Sequence, residues 1–159
     1  MPIIELKTYI NAPIETVFNL SRSVALHTYS TIKTNEEAVD GVTEGLLKEG
    51  DTVTWRAKHF GVYQYLTVAI TAYDFPCFFQ DSMLKGIFKQ MEHQHFFTKV
   101  GEAVCMHDIF EYKAPLGILG TVADVLFLKR YMYNFLKERN RIIKQVAEND
   151  EASLQFLNK

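Results

Sequence analysis

Residues 87–113 read IFKQMEHQHFFTKVGEAVCMHDIFEYK. Two runs, Ile87 to Lys99 and Ala103 to Lys113, flank a break at Val100-Gly101 and repeat with a period of two. That is the pattern of a half-buried antiparallel hairpin, in which alternate side chains share a face. A two- or four-residue loop pairs Lys99 with Glu102. The register then sets His93 opposite Asp108, His95 opposite Met106 and Phe97 opposite Val104, with Val104, Met106, Asp108, Phe110 and Tyr112 facing inward and His107 outward. A three-residue loop would oppose His95 to His107 instead.

The same period extends back to residue 42, broken at Gly50-Asp51, Gly61, Asp74-Phe75-Pro76 and Gly86. Four more strands are predicted, Val42 to Leu47, Thr52 to Phe60, Val62 to Tyr73 and Cys77 to Lys85, and the short links between runs require antiparallel neighbours. Residues 3–10 read as another strand, ended at Asn11-Ala12-Pro13. Pro13 suits the first helical position and Glu15 the positive end of a helix dipole. A helix should therefore start there, with a second short one from Ser23 to Tyr29. Beyond Ala114-Pro115-Leu116-Gly117, apolar residues from Val122 to Val146 recur at helical spacing, predicting one long helix over roughly 118–148. Lys129-Arg130 and Lys137-Glu138-Arg139 read as its solvated face, and Phe127, Tyr131, Tyr133 and Phe135 as mostly core, with Tyr131 and Met132 nearest any cavity.

Composition narrows the function. At 159 residues, with 48% hydrophobic and 23% charged, the chain suits one globular domain burying about 70% of its unfolded surface. Seventeen basic against 19 acidic residues give a net charge of -2, so no global field draws in nucleic acid. Cys77 and Cys105 are too few for a disulfide framework, and Met1 to Glu5 lacks the character of a signal peptide, so a cytoplasmic location is expected. The apolar stretch Ala114 to Leu128 is too short for a membrane span, carries Asp124, and is broken by Pro115, Gly117 and Gly120. No integral membrane segment is expected, and a homo-oligomer is compatible with the sequence.

The order strand, two short helices, six strands, one long helix resembles the START-like or SRPBCC superfamily, the helix-grip fold. The pieces that carry the resemblance are Ile10-Asn11-Ala12-Pro13, Val53 to Gly61, Gly86-Ile87-Phe88 leading to His93-Gln94-His95-Phe96-Phe97, Asp108 with Phe110-Glu111-Tyr112, and Ala114-Pro115-Leu116-Gly117. They look like the bacterial SRPBCC proteins often labelled cyclase/dehydrase or ligand-binding. The resemblance implies an α+β fold in which a curved antiparallel sheet of about seven strands wraps around the long helix. It also implies a single domain over 1–148, a deep apolar cavity for a lipid, polyketide, quinone or similar molecule, and catalysis in only some branches. Residues 149–159 are expected to fray.

Alternation places Val53, Trp55, Ala57 and His59 inward, with Leu66, Val68 and Ile70 on the next strand, then Phe79, Asp81 and Met83, then Met91, His93, His95 and Phe97. Polar groups on such faces must pair, meet water or meet a ligand. The reading is therefore a binding protein. Trp55, Phe79, Met83, Met91, Met106 and Phe110 would hold an apolar body, and His59, Asp81, His93, His95 and Asp108 a polar handle. One rival is a cyclase or dehydratase with His93 held by Asp108 as general base; Ser82 and the cysteines show no nucleophile motif. A second rival is an interaction module whose contact face is Tyr63, Tyr65 and Tyr73. Two His at i and i+2, with His59 or Asp81 as a third ligand, also fit a metal by direction. That spacing is a weak signal, and neither metal nor cofactor is expected.

Overall fold

A computed structural model describes residues 1–115, 117, 122 and 127–159. The chain runs β1 (Ile3–Ile10), α1 (Ile14–Ser21), α2 (Val24–Ser30), a 3₁₀ turn (Ile32–Thr34), β2 (Glu37–Gly41), β3 (Thr52–His59), β4 (Val62–Asp74), β5 (Phe78–Lys85), β6 (Gln90–Val100), β7 (Ala103–Lys113), α3 (Lys129–Ala147) and α4 (Asp150–Leu157). The strands form one antiparallel sheet in the order β1-β7-β6-β5-β4-β3-β2. Helix α3 packs against β1, α1 and α2. The expected helix over 118–128 and the buried apolar stretch that contains it lie largely outside the described residues. Among the described residues, no helix is long and apolar enough to cross a membrane.

The elements start where the chemistry of their ends predicts. The Ser23 side chain caps α2 by accepting from the Leu26 amide, and α1 carries Glu15 in its first turn. Phe18 of α1 is fully buried and meets Tyr73, Phe75, Phe79 and Phe97 edge-on, at centroid distances of 5.1 to 5.4 Å. Edge-to-face packing of this kind adds to the area term, so this cluster pins α1 to the strands at one side of the core.

Four expectations are corrected. The strand expected at Val42 to Leu47 is β2 at Glu37–Gly41. The later residues clamp α2 instead, with Gly45 O accepting from the Val24 amide and the Leu47 amide donating to Arg22 O. The tail expected to fray is helix α4, capped by the Asn149 side chain on the Ala152 amide and tied down by Ser153 Oγ donating to Val146 O. Tyr73 leaves the outer face, because an irregularity between Ile70 and Ala72 reverses the phase of β4 and pairs Tyr73 with buried Phe79. Tyr63 and Tyr65 remain exposed. Finally, the β6–β7 hairpin closes at Val100 and Ala103 around Gly101-Glu102, so His95 lies opposite Asp108, His93 opposite Phe110 and Phe97 opposite Met106. Gly101, at φ +61°, takes the positive φ that a two-residue hairpin turn demands. The shift of two residues preserves every facing and changes every partner.

The β3–β4 hairpin turns on Phe60-Gly61 with φ of 53° and 77°. Positive φ at both positions is the pattern of a type I′ turn, which favours Asn-Gly. A left-handed φ costs a residue with a Cβ about 1–2 kcal/mol, and the Phe60 ring is 64% exposed. Phe60→Asn should therefore raise stability by about 1 kcal/mol in urea unfolding; a loss of stability would mean that the ring's packing outweighs the turn.

Candidate functional site

Between the inner face of the sheet and α3 lies a cavity of about 290 Å³. Its wall is mostly apolar: Trp55, Ala57, Val68 and Ile70 from β3 and β4, Phe79 and Met91 from β5 and β6, Phe110 from β7, and Met132, Phe135 and Leu136 from α3. These strand residues are the inward-facing set of alternation, and the helix residues recur at i, i+3 and i+4. Three sets of polar groups stand in or behind this wall.

The largest set surrounds Asp108, which is 1% exposed. His95 Nδ1 donates to Asp108 Oδ1 at 2.6 Å, and its Nε2 donates to Asp81 Oδ1 at 3.0 Å. Ionised carboxylates only accept, so both ring nitrogens must carry protons, which makes His95 an imidazolium. Burial alone would lower the His95 pKa, but the bonds to Asp108 and Asp81 outweigh it and hold it above the ordinary value. Asp108 is likewise opposed by burial yet lies well below the ordinary carboxylate range because of His93 and His95. Asp81 moves the same way, burial being overcome chiefly by His95. Asn140 of α3 donates to Asp108 Oδ2 at 2.6 Å. Beside it, Arg139, only 5% exposed, reaches Asn140 Oδ1 and Ser21 O, each at 3.2 Å.

His93 stands apart. Its Nε2 lies 3.2 Å from Asp108 Oδ1 but off the line of a hydrogen bond, so this buried atom has no partner among the described residues. Its ring packs 3.9 Å from that of His95 and edge-on to Phe110 at 5.2 Å. Burial, reinforced by the neighbouring charge of His95, pushes the His93 pKa down to about 4. At neutral pH it is an uncharged imidazole in the cavity wall.

In the second set, His59 Nδ1 and the Tyr131 hydroxyl are 2.7 Å apart. Burial lowers the His59 pKa and raises that of Tyr131. The third set is His27, stacked on Trp55 at 4.0 Å, with Nε2 3.2 Å from buried Glu36.

No protein-family model matches the chain, and no curated protein matches it by sequence. Solved structures do match. TTHA0849 from Thermus thermophilus aligns with a TM-score of 0.74 at 18% identity, covering 97% of this chain and 98% of that one. Ginseng major latex-like protein 151 from Panax ginseng aligns at 0.68 and 17%, covering 93% and 98%. A START superfamily protein from Mycobacterium smegmatis aligns at 0.68 and 10%, covering 92% and 97%. The chain has the helix-grip fold of START-like proteins. At these identities the likeness is one of fold.

Within that helix-grip frame, the expected residues Trp55, His59, Phe79, Asp81, Met91, His93, His95 and Phe110 do line the cavity. Met83, Met106 and Asp108 are not among its lining residues. Met83 lies against Gly86, Met106 is fully buried under Ser21, and Asp108 stands behind the two histidines. The expected meeting of Asp108 with His93 survives as a contact at 3.2 Å, but the observed register sets Asp108 opposite His95, which takes the aligned bond. Arg139, expected on the solvated face of α3, is buried, and Asn140 with it. Both fill the gap between Leu136 and Ile143 in the apolar stripe, which is the signal that could have found them. Phe127 and Tyr133 of the supposed core stripe are exposed; Tyr133 is about 200° around the helix from Tyr131, at roughly 100° per residue. His107 is outside as expected, bonded to Glu5 at 2.7 Å.

The titrations predict how stability follows pH in chelator-treated protein. His93 has an ordinary value of 6.5 and a folded value of about 4. The unfolded chain therefore binds its proton first, and stability falls as pH drops from about 6.5 to about 4, by up to about 3 kcal/mol. His95 works oppositely: its contribution is complete below its unfolded value and is lost as pH rises through the folded one. The contributions of Asp81 and Asp108 are present above the ordinary carboxylate value and vanish only at lower pH. Urea unfolding between pH 7 and pH 4.5 should show the acid loss in the wild type and a flatter slope in His93→Asn. Equal slopes would refute the neutral, buried His93.

Proposed function

We propose that the protein binds a small, largely apolar molecule in the cavity between the sheet and α3, with one uncharged polar group presented to His93. The observation that carries this reading is a mostly apolar cavity wall that holds the His93 ring, 7% exposed as a residue, with an Nε2 that makes no aligned hydrogen bond. A buried polar atom left unsatisfied costs about 1–3 kcal/mol, which a ligand hydroxyl or carbonyl would remove.

The surrounding charges favour an uncharged group. Arg139 and the His95 imidazolium are offset by Asp81 and Asp108, so an anionic head would enter a site already neutral, beside two carboxylates. Trp55, Met91 and Phe110 supply a flat and adaptable apolar surface for the rest of the molecule. A general-base role fits less well. His95 is held in its doubly protonated form by the two carboxylates it contacts, and His93, with a value of about 4, is a weak base at neutral pH.

Paired probes test this reading. In the presence of a chelator, 2-naphthol should bind with one-to-one stoichiometry and quench Trp55 fluorescence, about fivefold more tightly than naphthalene. His93→Leu should abolish that preference while leaving naphthalene binding intact, since a hydrogen bond is worth about 1 kcal/mol net. Ala57→Phe, which fills the cavity, should weaken both. Absence of binding by either probe, or a preference that survives His93→Leu, would overturn the proposal.

A further inference from the structure

We infer that Asp81, His93 and His95 form a binding site for a divalent transition-metal ion, a two-histidine, one-carboxylate set that opens into the cavity. One ligand atom from each of the three lies within 4.8 Å of the others. Asp81 Oδ1 and His95 Nε2 are 3.0 Å apart, close to the separation of neighbouring ligands around an ion bound at about 2.1 Å from each. The three residues come from adjacent paired strands, β5 and β6, with Asp81 opposite His93 in the register. Rigid elements of this kind hold ligands more accurately than loops do.

Two further observations point to a metal and not simply to a hydrogen-bonded cluster. His93 Nε2 is buried, 3.2 Å from Asp108 Oδ1 but without an aligned hydrogen bond, a deficit that an ion would resolve. The outer contacts are those a ligating histidine uses: His95 Nδ1 donates to Asp108 Oδ1 at 2.6 Å, which leaves Nε2 as its free end toward Asp81 once its proton is displaced. Asp108 is in turn held by Asn140 Nδ2 at 2.6 Å. A carboxylate behind a histidine fixes the ring's tautomer and orientation, and its loss typically weakens metal binding about 10–100-fold. Nitrogen and oxygen donors in this ratio suit zinc, cobalt or ferrous iron and disfavour magnesium or calcium. Three protein ligands leave a position facing the cavity, where the ion can polarise an oxygen of a bound molecule.

The inference shares the cavity with the proposed ligand but does not depend on it, because the naphthol experiment is run in chelator and the metal experiment without any organic probe. Chelator-stripped protein is titrated with Co²⁺ and followed by visible absorption and calorimetry. The expected result is one equivalent bound, with the d–d bands of low-coordinate cobalt on nitrogen and oxygen, displaced by Zn²⁺. Asp81→Asn and His93→Gln should each weaken binding at least about tenfold, and Asp108→Asn about 10–100-fold. His107→Gln, on the opposite face of the sheet, should change nothing. Asp81 is at the edge of the cluster, with 18% of its side chain exposed, so its variant keeps the test available if His93→Gln does not fold. No saturable cobalt binding by the wild type would overturn the inference, as would binding that survives Asp81→Asn unchanged.

Discussion

Asp108 carries a carboxylate to a point on the inner face of β7 where almost no water reaches it. An isolated charge there would cost several kcal/mol, so the surrounding structure has to supply donors. They come from different parts of the chain: His95 from β6 and Asn140 from α3. His95 then passes the linkage on to Asp81 on β5. Through this one carboxylate, three adjacent strands and α3 share a single polar centre. The face of α3 that presents Asn140 to it also carries Leu136, which closes the cavity.

The apolar structure divides into two regions with different tasks. Around Phe18, rings from α1, β4, β5, β6 and the Phe75 turn meet edge to face and fill the space. On the other side of Phe79, whose ring also stacks on His95 at 4.2 Å, the sheet and α3 diverge around the cavity. Phe79 is thus both core and wall. A packed region beside an open one lets the fold keep a preformed space, since a cavity need not be held by the same contacts that hold the sheet together.

Chemically, the site joins a neutral imidazole to a charged one. His93 and His95 are two residues apart on one strand, share a face and touch, yet their environments push their proton affinities in opposite directions. Carboxylates on both nitrogens keep His95 charged, and burial beside that charge keeps His93 neutral. The same pair can therefore present a hydrogen-bonding nitrogen to an uncharged ligand group or, once His95 gives up a proton, two nitrogens to a metal ion.

Most of the strand and helix positions, and the inward facing of Trp55, Phe79, Met91, His93, His95, Asp108 and Phe110, were legible in the sequence. Periods of two and 3.6 are local properties of the chain, and the hydrophobic effect reads them the same way wherever the segment packs. Three things were decided only by the tertiary structure. The partners of the histidines depended on whether Val100-Gly101 or Gly101-Glu102 formed the turn, and a shift of two residues is invisible to alternation because it leaves every face unchanged. The irregularity in β4 that turned Tyr73 inward is a single unpaired residue with no pattern of its own. Arg139 and Asn140 stand at stripe positions of α3 but are polar and read as surface residues, because the groups that accept from them, the Ser21 carbonyl and the Asp108 carboxylate, lie far away in the chain. Sequence alone determined the facing of most strand residues; only the folded contacts determined which of them meet and which polar helix residues are buried, because pairing depends on long-range register and on where buried charge finds its donors.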